Sequence, residues 1–205
     1  MKQLLILSGK GGTGKTTVAG AFIYLSKAKA YADCDVDAPN LHLISHWNDL
    51  PERCDYFGMP KARIDPEKCI ACGQCQTHCH FNAIEAEPFF QIRHFACEGC
   101  GVCSLVCPTN AVSMAPDRAG ELALYRDKRR VFSTAKLNMG SGTSGKLVTE
   151  VKRQMVSAAA NAEFAIIDGS PGIGCPVIAS ISGVSMVLIV AEPSLSGITD
   201  MERIL

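Results

Sequence analysis

The chain carries no excess of charge of either sign: 20 lysines and arginines stand against 20 aspartates and glutamates, for a formal net charge of zero. It therefore lacks the overall basic field that marks a default nucleic-acid binder. Long apolar runs are missing too. Leu4 to Leu7 is too short for the core of a signal peptide and runs straight into a glycine loop. Met186 to Ala191 has the length of a buried strand, not of a bilayer span. These absences predict a cytoplasmic chain with no membrane partner. What remains, 205 residues that are 47% hydrophobic and 20% charged, suits a globular protein with one sizeable core or two small ones.

Cysteine, by contrast, is plentiful, with 11 residues. In a reducing compartment that number argues for metal or cluster ligation rather than for disulfides. Cys69, Cys72, Cys75 and Cys79 form C-x2-C-x2-C-x3-C, and Cys97, Cys100, Cys103 and Cys107 repeat it. The repeat extends past the cysteines: at an offset of 28 residues Ile64 matches Ile92, Asn82 matches Asn110, Ala83 matches Ala111 and Pro88 matches Pro116. This is an internal duplication of one cluster-binding unit. Three thiolates at this spacing wrap one face of a cubane, and the fourth cysteine, past a turn, belongs to the neighbouring cluster. On that pattern Cys69, Cys72, Cys75 and Cys107 hold one [4Fe–4S] and Cys97, Cys100, Cys103 and Cys79 hold the other. Zinc asks for four ligands in a simpler grouping. The second copy has the usual Cys107–Pro108, whereas the first has Cys79–His80, read as a surface substitution. Residues 61–117 resemble a two-cluster bacterial-type ferredoxin. The resemblance implies low-potential electron transfer or cluster handling, in βαβ-like units with short helices over Gln76–His80 and Ser104–Cys107.

The N-terminal stretch ILSGKGGTGKTTVAG contains a complete G-x-x-x-x-G-K-[ST] motif at Gly9, Gly14, Lys15 and Thr16. A short apolar strand, Gln3 to Leu7, precedes it and a helix over about Thr16–Lys27 follows, which is the context a phosphate-binding loop requires. The backbone N–H groups of Gly9, Gly11, Gly12, Thr13 and Gly14 would cradle phosphate at the helix N-terminus. Lys15 would reach the β- and γ-phosphates, Thr16 would ligate Mg²⁺, and Thr17 would assist at the α-phosphate. A second strand leads into DCDVDAPN, whose acids Asp33, Asp35 and Asp37 alternate at the end of a sheet where ligands sit. There a carboxylate can hold a Mg²⁺-bound water or orient the attacking one. Phe164 to Ile167 is an apolar strand ending at Asp168, the expected Walker B acid, with a glycine loop (Gly169, Gly172, Gly174) behind it. Leu147, Val151 and Met155 recur at i, i+4, i+8 within a helix over about Ser144–Ala160.

Strands alternating with helices imply an α/β fold with a doubly wound, mostly parallel sheet. The residues between the insert and Asp168, Gly120 to Leu137, read as a β-hairpin capping the insert. Its tip (Arg126, Lys128, Arg129, Arg130) is read as solvated, with an acidic partner or nucleic acid as the alternative. Cys175, one of three cysteines outside the repeats with Cys34 and Cys54, reads as a small buried thiol.

Together G-K-G-G-T-G-K-T-T, D-C-D-V-D-A-P-N and D-G-S-P-G-I-G-C-P resemble the deviant-Walker ATPases of the MinD, ParA, Mrp and nitrogenase iron-protein group. More closely, the chain resembles MinD-superfamily ATPases with an inserted ferredoxin domain. The resemblance implies a P-loop domain in two parts, 1–60 and 118–205, interrupted by the ferredoxin domain at 61–117. It implies that Lys10 reaches across a face-to-face dimer to the partner's nucleotide, and that Asp33 serves the Mg²⁺ shell. Asp35 would help activate the hydrolytic water, with Asp168 as the Walker B acid. An extra cation at the phosphates answers charge in the transition state, as an arginine finger does. The implied cofactors are ATP or ADP, Mg²⁺ and two [4Fe–4S] clusters. The implied partners are a second copy or a related chain, and a redox or cluster-accepting protein. The P-loop portion is short for the family, since the chain stops at Leu205 just inside a helix. Three functions follow: an ATP-driven electron- or cluster-transfer protein, a positioning switch with redox-sensing clusters, and, with no glutaminase domain to support it, a cobyrinic-acid-synthetase-type amidating enzyme.

Overall fold

The apolar run after Met1 becomes the first strand of a central sheet in the computed structural model, which describes residues 1–204. In chain order the elements are β1 (Lys2–Ser8), α1 (Lys15–Ser26), β2 (Ala30–Asp33), α2 (Leu41–Ile44), β3 (Glu52–Phe57) and β4 (Lys61–Ile64). Next come α3 (Gln74–Thr77), β5 (Ile84–Glu85), β6 (Gln91–Ile92), α4 (Val102–Leu105), β7 (Val112–Ala115), β8 (Arg118–Arg126) and β9 (Val131–Leu137). The chain closes with α5 (Ser144–Ala158), β10 (Phe164–Pro171), α6 (Cys175–Ile181), β11 (Met186–Ile189) and α7 (Leu195–Glu202). Leu205, where the sequence reading ends a helix, lies outside the described residues. No described helix is long and apolar enough to cross a membrane.

Two compact units result. One holds Met1–Tyr56, Gly120–Leu137 and the chain from Ser144 onward; the other holds Phe57–Ala119 with Asn138–Thr143. The first unit is organised by a sheet of order β11-β1-β10-β2-β9-β8-β3. Its centre is parallel, since β1 pairs in parallel with β10 and β11, β10 with β2, and β2 with β9. Parallel strands need helices on both faces, so their residues are apolar almost without a break. Leu5, Ile6, Leu7, Ala30, Tyr31, Ala32, Ile166 and Ile167 are accordingly fully buried. Leu147, Val151 and Met155 of α5 are buried as their spacing predicts.

The hairpin differs from its expected place. β8 and β9 do form an antiparallel pair, from Gly120↔Leu137 to Arg126↔Val131, but β9 also pairs in parallel with β2. The hairpin is thus part of the central sheet and not a cap. The cause is visible in β9: Val131 to Ala135 are all buried, with the Phe132 ring stacked on Tyr31 at 5.1 Å and on Tyr125 at 5.3 Å. A solvent-facing hairpin would leave one face wet.

The second unit repeats itself physically as well as in sequence. β4 pairs with β7 (Ile64↔Val112) and β5 with β6 (Ile84↔Ile92), both antiparallel. Asp65 N–H donates to the Ala111 carbonyl at 2.8 Å, and its counterpart Arg93 N–H donates to Ala83 at 2.8 Å. Each copy therefore completes the other. The short helices α3 and α4 contain the third cysteine of each set, Cys75 and Cys103, rather than following it as expected. Ala62, Ala83, Ile84 and Val112 form the small apolar core around them.

Candidate functional site

The loop between β1 and α1 holds Gly9 to Gly14, and Lys15 to Thr17 open the helix. Gly14, with φ 87°, caps α1 in a left-handed conformation, and no side chain caps the helix. A residue with a Cβ is strained there, and the first N–H groups of α1 are left facing the loop. Lys15 is the first residue of the helix and is 7% exposed in its side chain. Its Nζ donates to Asp168 Oδ1 at 2.6 Å, and the Asp168 side chain is 1% exposed. The other oxygen, Asp168 Oδ2, is buried without a hydrogen-bond partner, as is Thr13 Oγ1. Thr16 is half-buried beside Lys15, while Gly11, Gly12 and Thr17 are exposed.

Asp33 ends β2 in register with Asp168 on β10, so two carboxylates stand side by side at the C-terminal edge of the sheet. Asp33 is fully buried. It accepts N–H bonds from Asp35 at 3.0 Å, Asn40 at 2.9 Å and Leu41 at 2.9 Å. It thus pins the loop that carries Asp35. Burial pushes its carboxyl up to about 7, the Asp168 charge adds to that, and the Leu41 and Asp35 N–H groups oppose it. Asp35 is half-buried and also raised, by burial first, with the Lys15 ammonium pulling it back. The structure therefore gathers Lys15, Asp33, Asp35 and Asp168. It holds Lys10 elsewhere: its ammonium forms an ion pair with Glu192 and donates to Ser196 Oγ at 3.3 Å.

The buried orphan oxygen of Asp168 suits a divalent cation, since a hard oxygen donor without a partner is what Mg²⁺ recruits. Several residues of this region escaped the sequence reading. Glu192 carries a positional signal, being an acid just past β11 at the edge of the sheet where ligands sit. Ser170, whose hydroxyl donates to the Cys34 carbonyl, carries none. Cys175, expected to be buried, is exposed at the start of α6. The basic hairpin tip borders an open groove with Lys27 and Lys29.

In the second unit the eight cysteines fall into two groups. Cys69, Cys72, Cys75 and Cys107 line one small cavity. Cys97, Cys100, Cys103 and Cys79 line another. The fourth cysteine of each copy thus sits with the other copy's three. No described His, Cys, Asp or Glu side chains converge in threes on a single-ion point; the thiols instead surround a volume with apolar walls. Ala83 N–H donates to Cys79 Sγ at 3.4 Å and Ala111 N–H to Cys107 Sγ at 3.2 Å. At Cys107 burial raises the thiol, but the N–H groups of Thr109 and Ala111 outweigh it and the net direction is down. Cys75 and Cys103 are raised, chiefly by burial and then by neighbouring thiolates. Four thiolates around an apolar cavity, with N–H groups aimed at sulfur, fit an iron–sulfur cluster.

The cysteine unit fits an iron–sulfur domain, and the parallel sheet carries a P-loop motif at the C-terminal end of β1. Residues 62–114 match the 4Fe-4S dicluster domain family. The chain belongs to the same family as the uncharacterized protein MJ0578 of Methanocaldococcus jannaschii. The two are 35% identical over 207 residues, covering 99% of this chain and 72% of the relative. A second protein of that organism, uncharacterized MJ0579, is 28% identical over 214 residues, covering 100% of this chain and 76% of its own. Among solved structures the chain is similar to apo McdA of Cyanothece, at TM-score 0.49 and 18% identity over 99% of this chain and 63% of that one. It is also similar to the cell division ATPase MinD of Pyrococcus furiosus, at TM-score 0.48 and 18% identity over 99% and 64%. The chain spans less than two thirds of those structures.

Proposed function

We propose that the protein binds and hydrolyses Mg-ATP as a dimer, with a second copy or a related chain. In this reading the nucleotide cycle is coupled to electron transfer or cluster handling for a partner protein. The observation that carries it is the buried Lys15–Asp168 pair beside Asp33 and Asp35, in a chain that also builds two four-cysteine cavities. Lys15 would exchange Asp168 for the β- and γ-phosphates, and Asp168 and Thr16 are the residues that would hold Mg²⁺. Asp35 orients the attacking water, and Asp33 keeps the Asp35–Leu41 loop in place through its three N–H bonds. Lys10 leaves Glu192 and Ser196 for the nucleotide of the neighbouring subunit. Cys69, Cys72, Cys75 and Cys107 hold one [4Fe–4S] cluster, and Cys97, Cys100, Cys103 and Cys79 the other. When bound, these supply one-electron carriers. Coupling is physically reasonable because loops that contact a γ-phosphate change their order on hydrolysis.

The test uses anaerobically purified protein. ATP hydrolysis is measured with the clusters oxidised and reduced, and the cluster potentials are measured with and without nucleotide. The reading expects each to respond to the other. Hydrolysis indifferent to redox state, with potentials indifferent to nucleotide, overturns the coupling.

A further inference from the structure

The duplication that builds the second unit has one charged exception. Lys61, the first residue of β4, is only 8% exposed. Its ammonium donates to the backbone carbonyl of Cys97, a bond buried in the core. The 28-residue offset maps Lys61 onto Phe89, so the first cysteine set has a neutral aromatic where the second has a buried cation. Phe89 is also 62% exposed, so the two positions differ in burial as well as charge.

The placement of Lys61 is enforced by a close backbone approach. At Gly99, with φ +71°, a Cβ would overlap the Pro60 carbonyl oxygen and press on Met59 Cβ at 3.0 Å. The counterpart of Gly99 in the first set is Ala71, which has a Cβ at a similar φ of 54°. The strand entry Met59–Lys61 is thus drawn down onto the Cys97–Gly101 loop. Glu98 lines the cavity of Cys97, Cys100, Cys103 and Cys79, but it is exposed and water screens its charge. Lys61 lines a neighbouring cleft with Arg63, His94 and Asp117 and reaches the cysteine set through the Cys97 carbonyl. The cavity of Cys69, Cys72, Cys75 and Cys107 is lined by no charged side chain among the described residues.

We propose that Lys61 makes the two cluster sites inequivalent, setting the Cys97, Cys100, Cys103 and Cys79 site at the higher reduction potential. The physics is one of net charge. Reduction adds a negative charge, and a fixed cation in a water-poor surrounding stabilises the reduced form more than the oxidised one. Lys61 acts through its charge beside a ligand's backbone and not as a ligand, so it is a tuning residue. The inference rests on the reading that these eight cysteines hold two clusters. Iron and sulfide counts test that reading separately.

The experiment is a redox titration of the full chain, monitored by electron paramagnetic resonance, in the wild type and three variants. Lys61→Met removes charge and hydrogen bond, Lys61→Gln keeps a donor without charge, and Lys61→Arg keeps the charge. A Cys72→Ala background, which strips one thiolate from the other site, assigns the signals. Expected is a fall of the Cys97-site potential in Lys61→Met and Lys61→Gln, with Lys61→Arg close to wild type and the other site unmoved. Unchanged potentials, equal shifts at both sites, or a Lys61→Gln protein that titrates like wild type would each overturn the proposal. If Lys61→Met does not load with iron, the comparison of Lys61→Gln with Lys61→Arg decides it alone.

Discussion

Asp33 shows how much one buried carboxylate commits the P-loop unit to. Its carboxyl is raised from 3.8 to about 7, chiefly by burial. Between those values the folded protein holds a proton that the unfolded chain has released. Stability therefore falls as pH rises through this window, at about 1.4 kcal/mol per pH unit and on the order of 4 kcal/mol in all. Urea unfolding of protein free of nucleotide and Mg²⁺, at pH 5 and pH 8, checks this. Asp33→Asn is expected to flatten the slope and to exceed wild type in stability at pH 8; parallel slopes would refute the assignment. Lys10 and Glu192 pose the opposite case. Their side chains are 35% and 50% exposed, so the pair contributes about 0–1 kcal/mol and is easily exchanged. Glu192→Gln is expected to leave stability within about 0.5 kcal/mol and to raise the ATP-dependent dimer population. Lys10→Ala is expected to keep nucleotide binding through Lys15 while losing the dimer and hydrolysis. Light scattering with and without ATP reads both, and dimers of unchanged strength in Lys10→Ala sink the cross-subunit role. The motif spacing in the sequence pointed to Lys15 and Asp168; nothing in it showed that Lys10 would be held by Glu192 and Ser196, since the Ser196 contact joins residues 186 positions apart.

At the scale of elements, α5 shows what periodicity can and cannot convey. Leu147, Val151 and Met155 declare its buried face, because a 3.6-residue period repeats in sequence. Lys152 does not declare itself, yet it is buried to 8% exposure. Its Nζ donates to the carbonyls of Ser180 at 2.7 Å, Ser182 at 2.5 Å and Ala179 at 3.4 Å, closing the C-terminal end of α6. Burial holds its pKa below the ordinary lysine value. A polar contact between two helices depends on a partner that no local pattern announces. The same reason explains the hairpin: alternation foretold the antiparallel pair of β8 and β9 but not that β9 would find β2. Lys152→Met fills the same space and leaves those carbonyls without their donor, which costs about 1–3 kcal/mol. Chemical denaturation should show that loss, with the cluster absorbance of the folded protein unchanged. A variant as stable as wild type would mean that water replaces the ammonium there.

Across the whole molecule, the chain leaves one sheet after β3, builds a duplicated unit, and returns at β8, the strand next to β3 in that sheet. The duplication was legible because both copies kept their cysteine spacing. The interlocking of those copies makes a prediction that simple tandem units do not. If each copy held its own cluster, Cys69→Ser and Cys107→Ser would damage different sites, and the double variant would lose both. In the structure Cys107 lines the cavity of Cys69, Cys72 and Cys75, while Cys79 lines that of Cys97, Cys100 and Cys103. Cys69→Ser with Cys107→Ser therefore removes two ligands of one site and should leave about four irons per chain. Cys97→Ser with Cys107→Ser removes one ligand from each site, although both cysteines lie in the same sequence copy, and should leave far fewer. Iron and sulfide counts on anaerobically reconstituted protein read the difference directly. Equal iron in the two double variants would overturn the interlocked arrangement. The reverse order would show that each copy closes its own site, with the hydrogen bonds from Asp65 and Arg93 across the copies left to hold the unit together.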